Sequence, residues 1–356
     1  MNTWPDHRIL DLLGIQLPII QAPMAGSVFS EMVIAVSEAG GLGSLPCALL
    51  TPDQIRAELS AIRHRTSRPI NMNFFCHPTP RVEPRRESVW RQRLAKYFVE
   101  LGLDPDELVS RSGRASFDSA MCDLVVECRP EVVSFHFGLP SKDLLSRLKL
   151  TGAKIFSSAT TVDEARWLED EGCDSVIAQG YEAGGHRGMF LDGDFSTQAG
   201  TIALVPQVVD AVKVPVIAAG GIADARGIAA SFMLGASAVQ MGTAYLFCPE
   251  AKVGSAHRKA LRYAKDNQTV LTNIFTGRPA RAIVNRFVRE VGPVSDLAPE
   301  FPLAADTLAL LRSKSEAVGS DDFVPFWSGQ SARLARDLPA GELTNRLAVD
   351  TLTKLK

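Results

Sequence analysis

"VPVIAAGGIADARGIAASFMLGASAVQMG" occupies residues 214–242. An apolar run, "VPVIAAG" (214–220), ends on a glycine pair, Gly220 and Gly221. A helical stretch, "DARGIAASFMLGA", follows and stops at Gly235. A second apolar run, "SAVQMG" (237–242), comes next. Both runs are apolar at consecutive positions instead of alternating, as strands covered on both faces are. The stretch therefore reads as strand, helix, strand, the unit from which parallel sheets are built.

The same rhythm extends back to the N-terminus. Further runs are "PIIQAP" (18–23), "GLGSLP" (41–46), "INMNFF" (70–75), "VVSFHF" (132–137), "KIFSSA" (154–159) and "SVIAQG" (175–180), which makes eight in all. Helical segments lie between most of them. "TPDQIRAELSAIRHR" opens with Thr51 as N-cap and Pro52 at the first helical position, and "TVDEARWLEDEG" carries its acids early and stops at Gly172. Eight units predict an α/β fold, a closed (β/α)8 TIM barrel. A doubly wound open sheet is the rival, and the absence of a clear reversal point tells against it.

Two segments fall outside the repeat. Residues 76–115 form an insertion after the third strand, charged and partly helical. Residues 251–356 follow the eighth strand, read as mostly helical, and end in "DFVPFWSGQSARLARDLPAGELTNRLAVDTL". Both are expected to pack on a barrel of residues 1–250 as extensions.

Bulk composition excludes several classes. The 356 residues are 46% hydrophobic and 22% charged, ordinary values for a soluble globular protein. The formal net charge of −2 gives no nucleic-acid footprint. No apolar run reaches membrane-spanning length, and "MNTWPDHRILDLLG" lacks the pattern of a targeting segment. The six cysteines are scattered without a CxxC pair, which fits reduced thiols of a cytoplasmic protein.

Chemistry in such barrels sits at the C-terminal strand ends. After the seventh run stands "AAGGIAD" (218–224), and after the eighth stands "QMGTAYL" (240–246). A glycine pair suits a tight turn or a close backbone approach to phosphate, with the next helix starting near Ala223–Asp224 with its N–H groups free. Two adjacent strand ends of this kind favour phosphate. "GGLGS" (40–44) lacks the third glycine and the preceding strand of a dinucleotide fingerprint, so it reads as a helix C-cap running into the second strand. Gln21, Asn71, Asn73 and Gln179 are neutral amides near strand ends. Singly each suits a structural role; together they suit a heteroaromatic ring lying across the mouth. Phosphate plus an amide-lined ring site is what FMN requires.

"PIIQAPMAG", "NMNFF", "QGYEAGGHRG", "VPVIAAGGIAD" and "QMGTAYL" resemble the nitronate monooxygenases, in order, from residue 18 to about 246. "NMNFF", "SFHFG" (134–138) and "FWSGQ" (326–330) are similar to the class I branch. The resemblance implies a TIM barrel with non-covalent FMN. It implies oxidation of alkyl nitronates, propionate 3-nitronate above all, by O₂ to a carbonyl compound and nitrite. It places FMN against Ala22, Pro23 and Met24, Asn71 or Asn73, Ser158, Gln179, Gly184, Gly220, Gly221, Gln240, Met241, Gly242 and Thr243. It matches His186 to the active-site histidine and His136 to a second, substrate-side histidine. The chain departs from class I at Phe117, in "RASFDSAM", where those enzymes carry a tyrosine.

Of the six histidines, His7, His64 and His257 read as surface residues, His77 as able to reach the mouth, and His136 as a strand residue suited to a hydrogen-bonded core role. His186 stands apart on its Gly-Gly platform. Without a second ligand at suitable spacing it does not read as a metal site. It reads either as a loop cap or as a catalytic, anion-orienting imidazole that donates to a nitronate or removes the α-proton of a nitroalkane, with Arg187 adding field. The expected partners are a small nitronate or nitroalkane and O₂; neither nucleic acid nor membrane is expected, and an oligomer stays open. An FMN-dependent NAD(P)H:quinone or enoyl-thioester reductase shares the same flavin elements. A flavin-free phosphate-binding isomerase or lyase, or a non-catalytic flavin-binding module, are rivals from other classes.

Overall fold

The computed structural model describes residues 3–105 and 116–356; residues 106–115 of the expected insertion lie outside them. The strands, in chain order, are β1 (Ile19–Gln21), β2 (Gly43–Pro46), β3 (Ile70–Phe75), β4 (Val132–His136), β5 (Lys154–Ala159), β6 (Ser175–Gln179), β7 (Gly185–His186), β8 (Val216–Ala219), β9 (Ala238–Met241), β10 (Thr269–Thr272) and β11 (Ala280–Ile283). Each of the eight apolar runs supplies one barrel strand. Their order is β1-β9-β8-β6-β5-β4-β3-β2, with every pairing parallel. The ring closes between β1 and β2, where Leu42 N donates to Ile19 O and Gln21 N to Leu42 O, both at 3.0 Å.

The helices begin and end where the sequence signals them. Thr51 and Gln54 form a reciprocal capping box at the start of helix Pro52–Arg65. Thr161 caps Val162–Asp170, and Gly172 takes a left-handed φ of 90° just past its end.

Alternation along the strands sorts the core into two layers. Outward residues such as Ile70, Met72, Phe74, Val133, Val176 and Val239 pack under the helices. Inward residues Ile20, Leu42, Val132, Phe156, Ile177, Ile217 and Ala238 fill the lower barrel, and Ile9 and Leu13 of helix Arg8–Leu13 plug it from below. Above that layer the inward positions turn polar: Ser44, Asn71, Asn73, Ser134, His136, Ser158, Gln179 and Gln240. The barrel is therefore apolar at its base and polar at its C-terminal mouth.

The insertion and the extension meet. Trp90, Leu94, Tyr97 and Phe98 of helix Pro84–Glu100 share a second core with Ile274, Phe275, Phe287 and Phe323. Tyr97 Oη donates to Glu290 at 2.9 Å, joining segments 193 residues apart. The extension, expected to be mostly helical, also supplies β10 and β11, which pair antiparallel and take up β7 as a third strand. Short, isolated strand segments lack the long apolar run by which the barrel strands announce themselves. The final helix, Ala340–Lys354, returns to the barrel and packs between Ser30–Glu38 and Ala225–Met233, with Tyr245 Oη 2.8 Å from Thr344 Oγ1. It fills the helical position between β9 and β1, since β9 itself runs only into the short 3-10 turn Thr243–Phe247.

Candidate active site

The segment after β6 folds back across the barrel mouth. Gln179 holds it with both ends of its amide: Nε2 donates to His186 O at 3.0 Å, and Oε1 accepts from Gly188 N at 2.8 Å. His136 Nε2 donates to the same carbonyl at 3.1 Å. Its Nδ1, thereby left as the acceptor, faces Ser158 Oγ at 3.0 Å. Burial pulls the His136 pKa down to about 4, so the ring is neutral in this role. Gln179, Ser158 and His136, picked out for flavin and substrate, thus spend these groups on the loop. Both His136 nitrogens are thereby engaged within the protein, one on the His186 carbonyl and one on Ser158.

Arg187 secures the loop from below. Its side chain is fully buried and donates to Gly180 O at 2.6 Å, Gln179 O at 2.7 Å and Gln198 Oε1 at 2.8 Å. Expected to lend field at the site, it is instead a clamp made of hydrogen bonds. Gly188 is required by packing, because a Cβ there would lie 2.8 Å from Ser158 Cβ and 3.0 Å from His136 Cε1.

His186 itself is half-buried at the mouth. Its backbone pairs with Ala280 of β11, and its Nε2 lies 3.0 Å from Thr276 Oγ1. The Thr276 hydroxyl donates onward to Arg278 O at 3.3 Å. Around the imidazole stand four aromatic rings: Phe301 (5.3 Å between centroids), Trp327 (5.4 Å), Phe137 (6.0 Å) and Phe75 (6.2 Å). The ring is therefore placed by the extension as much as by the barrel.

The glycine-rich ends of β8 and β9 lie side by side in the sheet. Gly220 and Gly221 take φ values of 110° and 69°, which only glycine adopts without strain. Helix Ala225–Met233 starts later than expected, and its first turn is not free: the Asp224 carboxylate accepts from Arg226 N at 2.9 Å and pairs with the Arg226 side chain. An anion here must use the glycine turns themselves. Gly242 is different. Its φ is −106°, and a Cβ would make only ordinary contacts, 3.6 Å to Ala22 and 3.7 Å to Met24 Sδ. No described residue crowds a side chain there, so the position has room for a ligand. Ala22, Pro23 and Met24 lie beside it, tied by Ala22 N to Met241 O at 2.8 Å. Met241 is buried under the helices rather than facing the mouth. The Thr243 hydroxyl accepts from Gly329 N at 2.9 Å and keeps its proton to donate. Gly184 answers to the same "FWSGQ" segment: a Cβ would fall 2.4 Å from Gly329 N.

The polar layer carries spare capacity. Asn71 Nδ2 donates to Ser44 Oγ and Ser134 Oγ, but its Oδ1 is buried and meets no partner among the described residues. Asn73 Nδ2 is bound to Ser134. The Gln240 amide, aimed into the mouth from β9, makes no hydrogen bond with a described residue. An orphaned amide oxygen and an unspent amide next to a glycine cradle fit a flavin.

Other sequence readings change. His257 is not a surface residue: it is half-buried on Phe326, and its Nε2 lies 3.0 Å from Trp327 O. His77 is buried edge-on to Phe301 at 4.9 Å. Phe117 is packed between Phe74 and Phe135 in the outer layer, away from His186. Thr276, Arg278 and Phe301 escaped notice, because no periodicity or spacing links them to "EAGGHRG", and Trp327 stood out only as part of "FWSGQ". Among the described residues no helix is long and apolar enough to cross a membrane.

Known proteins are similar to this chain in sequence and fold. A nitronate monooxygenase from Pseudomonas aeruginosa is 42% identical over 343 residues, 96% of this chain and 97% of its own. Another from Paraburkholderia phytofirmans is 40% identical, over 96% and 94%. The solved nitroalkane oxidase from Streptomyces ansochromogenes superposes with a TM-score of 0.87 at 39% identity, covering 97% of this chain and 98% of that one. FabK from Thermotoga maritima gives 0.73 at 30% identity, over 98% and 96%. A family profile described as nitronate monooxygenase matches residues 6–350. The chain belongs to the nitronate monooxygenase family, a family of flavin-dependent oxidoreductases.

Proposed function

We propose that this protein uses FMN to oxidise alkyl nitronates with O₂, giving a carbonyl compound and nitrite, with propionate 3-nitronate the first substrate to test. The observation that carries the reading is the placement of His186. It stands at the mouth, inside an aromatic wall, its Nε2 held by Thr276. The Thr276 hydroxyl beside Nε2 gives its own proton to Arg278 O and so holds the imidazole by its Nε2 edge. An imidazole so held is suited to orient an anionic nitronate when protonated and to take the α-proton of a neutral nitroalkane when not. The rings of Phe75, Phe137, Phe301 and Trp327 exclude water and strengthen each polar contact the imidazole makes.

Asn71 Oδ1 and the Gln240 amide are suited to hold the polar edge of the isoalloxazine. Gly221, Gly242 and Thr243 are suited to the phosphate. With one such phosphate region and no second for an adenylate, FMN fits better than FAD. FMN held by these residues would supply the electron acceptor, with O₂ as the terminal oxidant. Cofactor released by heat should run as FMN on chromatography, and the holoenzyme should release nitrite from a preformed nitronate. A colourless protein that cannot be reconstituted overturns the flavin reading. Anaerobic NAD(P)H oxidation with a quinone or enoyl thioester, without nitrite release from nitronates, overturns the substrate reading.

A further inference from the structure

Three arginines stand at the mouth, Arg187 and Arg281 buried and Arg278 half-buried, and of these Arg278 is the one whose guanidinium has nitrogens without an acceptor among the described residues. Arg187 bonds three acceptors. Arg281 gives Nε and Nη2 to Tyr181 O and Nη1 to Thr269. Arg278 bonds one, Met189 O, through Nη2. Its Nε is buried and meets no acceptor among the described residues. The acid whose charge it feels, Glu164, is itself buried and committed to Thr160, Phe190 and Leu191. A cation set in low dielectric without a carboxylate is costly, and sites of that kind are arranged to receive an anion.

Its surroundings say where that anion comes from. The guanidinium lies 4.0 Å over the Phe137 ring, and the same ring meets the His186 imidazole edge-on, with centroids 6.0 Å apart. Phe137 holds a φ of 72°, a left-handed conformation rare for an aromatic residue, of the kind that clusters at functional sites. Burial lowers the Arg278 pKa to about 10, which leaves the cation intact at neutral pH. The phosphate region is elsewhere: it stands on β8 and β9, whereas Phe137 follows β4, three places away from β8 in the sheet.

We infer that Arg278 is the specificity-determining residue of the site and receives a carboxylate at the far end of the substrate chain, while His186 faces the nitronate end. The short aliphatic stretch between the two charges lies against Phe137 and Phe301. The inference rests on the proposed nitronate oxidation for its substrate and on the geometry of Arg278 for its charge preference.

Two measurements on the flavin-loaded protein test it. The first needs no turnover: calorimetric binding of succinate, the dicarboxylate isostere of propionate 3-nitronate, against butyrate, which lacks the second charge. Wild type should bind succinate about tenfold tighter or better, as a charge-assisted contact gives, and Arg278→Met should bind both alike, with Arg278→Lys between. The second compares kcat/KM for propionate 3-nitronate and propyl 1-nitronate. Arg278→Met should lose about tenfold or more on the first, chiefly in KM, and under threefold on the second. Equal succinate and butyrate affinity in wild type overturns the inference, as does equal loss on both nitronates. A wild type that prefers succinate through Arg278 yet oxidises neither nitronate leaves the role of Arg278 standing and removes the nitronate reading instead.

Discussion

His136 donates through Nε2 to the backbone carbonyl of His186, 3.1 Å away and 50 residues on in the chain. The same carbonyl takes the Gln179 amide at 3.0 Å. Two inward side chains from two barrel strands thus fix one backbone oxygen, and the imidazole of His186 projects from that fixed point. A histidine in a glycine-rich loop thus acquires rigidity from the barrel beneath and from β11 beside it.

That arrangement gives stability a pH dependence. Burial depresses the pKa of both His136 and His257 to about 4, from 6.5. The unfolded chain therefore binds protons before the folded one does. Stability is complete above about pH 6.5 and falls as pH drops towards 4. Each histidine should cost about 2–3 kcal/mol by pH 4.5. Urea unfolding at pH 7 and 4.5 measures the total. His257→Gln keeps a donor for Trp327 O and should shrink the difference between the two pH values by about 2 kcal/mol; an unchanged difference would place the acid sensitivity in the carboxylates alone.

Arg187 should prove structural. Arg187→Met leaves the carbonyls of Gln179 and Gly180 and the Gln198 amide oxygen without their buried donor, a loss of about 3 kcal/mol or more. Arg187→Lys keeps the charge but not the planar fork, and should recover only part of that stability. Denaturant midpoints of the two variants check the order. A Met variant as stable as wild type would mean that the loop holds itself without the clamp.

The barrel was legible because each strand carries its own apolar run and several helices carry their own caps, all of it local. The capping box at Thr51 and the stop at Gly172 are written within a few residues of where they act. The glycine turns at Gly220 and Gly221 were legible for the same reason. What the sequence hid is tertiary. Nothing near residue 276 indicates that Thr276 meets His186, since the two are 90 residues apart and joined by a strand of two residues. His257 looked exposed because its neighbours are polar, yet it is held by Trp327 O, 70 residues on. The amides Gln21, Asn71, Asn73 and Gln179 were visible as a group near strand ends, but which are spent on protein, as Gln21 is on Ser44 N and Ala22 O, depends on partners that spacing does not reveal.

Two glycines at the cofactor end should separate folding from binding. A Cβ at Gly184 would lie 2.4 Å from Gly329 N and 2.6 Å from Ser328 C, both backbone, so Gly184→Ala must displace the "FWSGQ" segment. It should lower the melting temperature with or without flavin. A Cβ at Gly242 meets nothing closer than 3.6 Å, so Gly242→Ala should melt like wild type when stripped of flavin. It should nevertheless bind flavin about tenfold or more weakly, because the methyl group occupies the space meant for the ligand. Fluorescence titration of the stripped proteins with FMN gives the affinities. Full affinity in Gly242→Ala would move the phosphate away from this turn.

The two roles open to His186 make opposite demands on one ring. A nitronate needs a hydrogen-bond donor; a neutral nitroalkane needs a base. Asn supplies the donor and cannot supply the base. In His186→Asn, activity on a neutral nitroalkane used by wild type should fall by roughly 100-fold or more, and activity on the preformed nitronate should fall less. Flavin content should stay near that of wild type, since the spare amides and the glycine turns that suit FMN lie on β3, β8 and β9 and not on this ring. Stability should change little, because the loop is held by the carbonyl of residue 186, which Asn retains. Equal loss on both substrates with full flavin content would make His186 a positioning group. Loss of flavin would return the ring to a structural role beneath the cofactor. Wild-type rates on both substrates would remove His186 from the chemistry altogether, and the proton would then have to be sought elsewhere along the wall of the mouth.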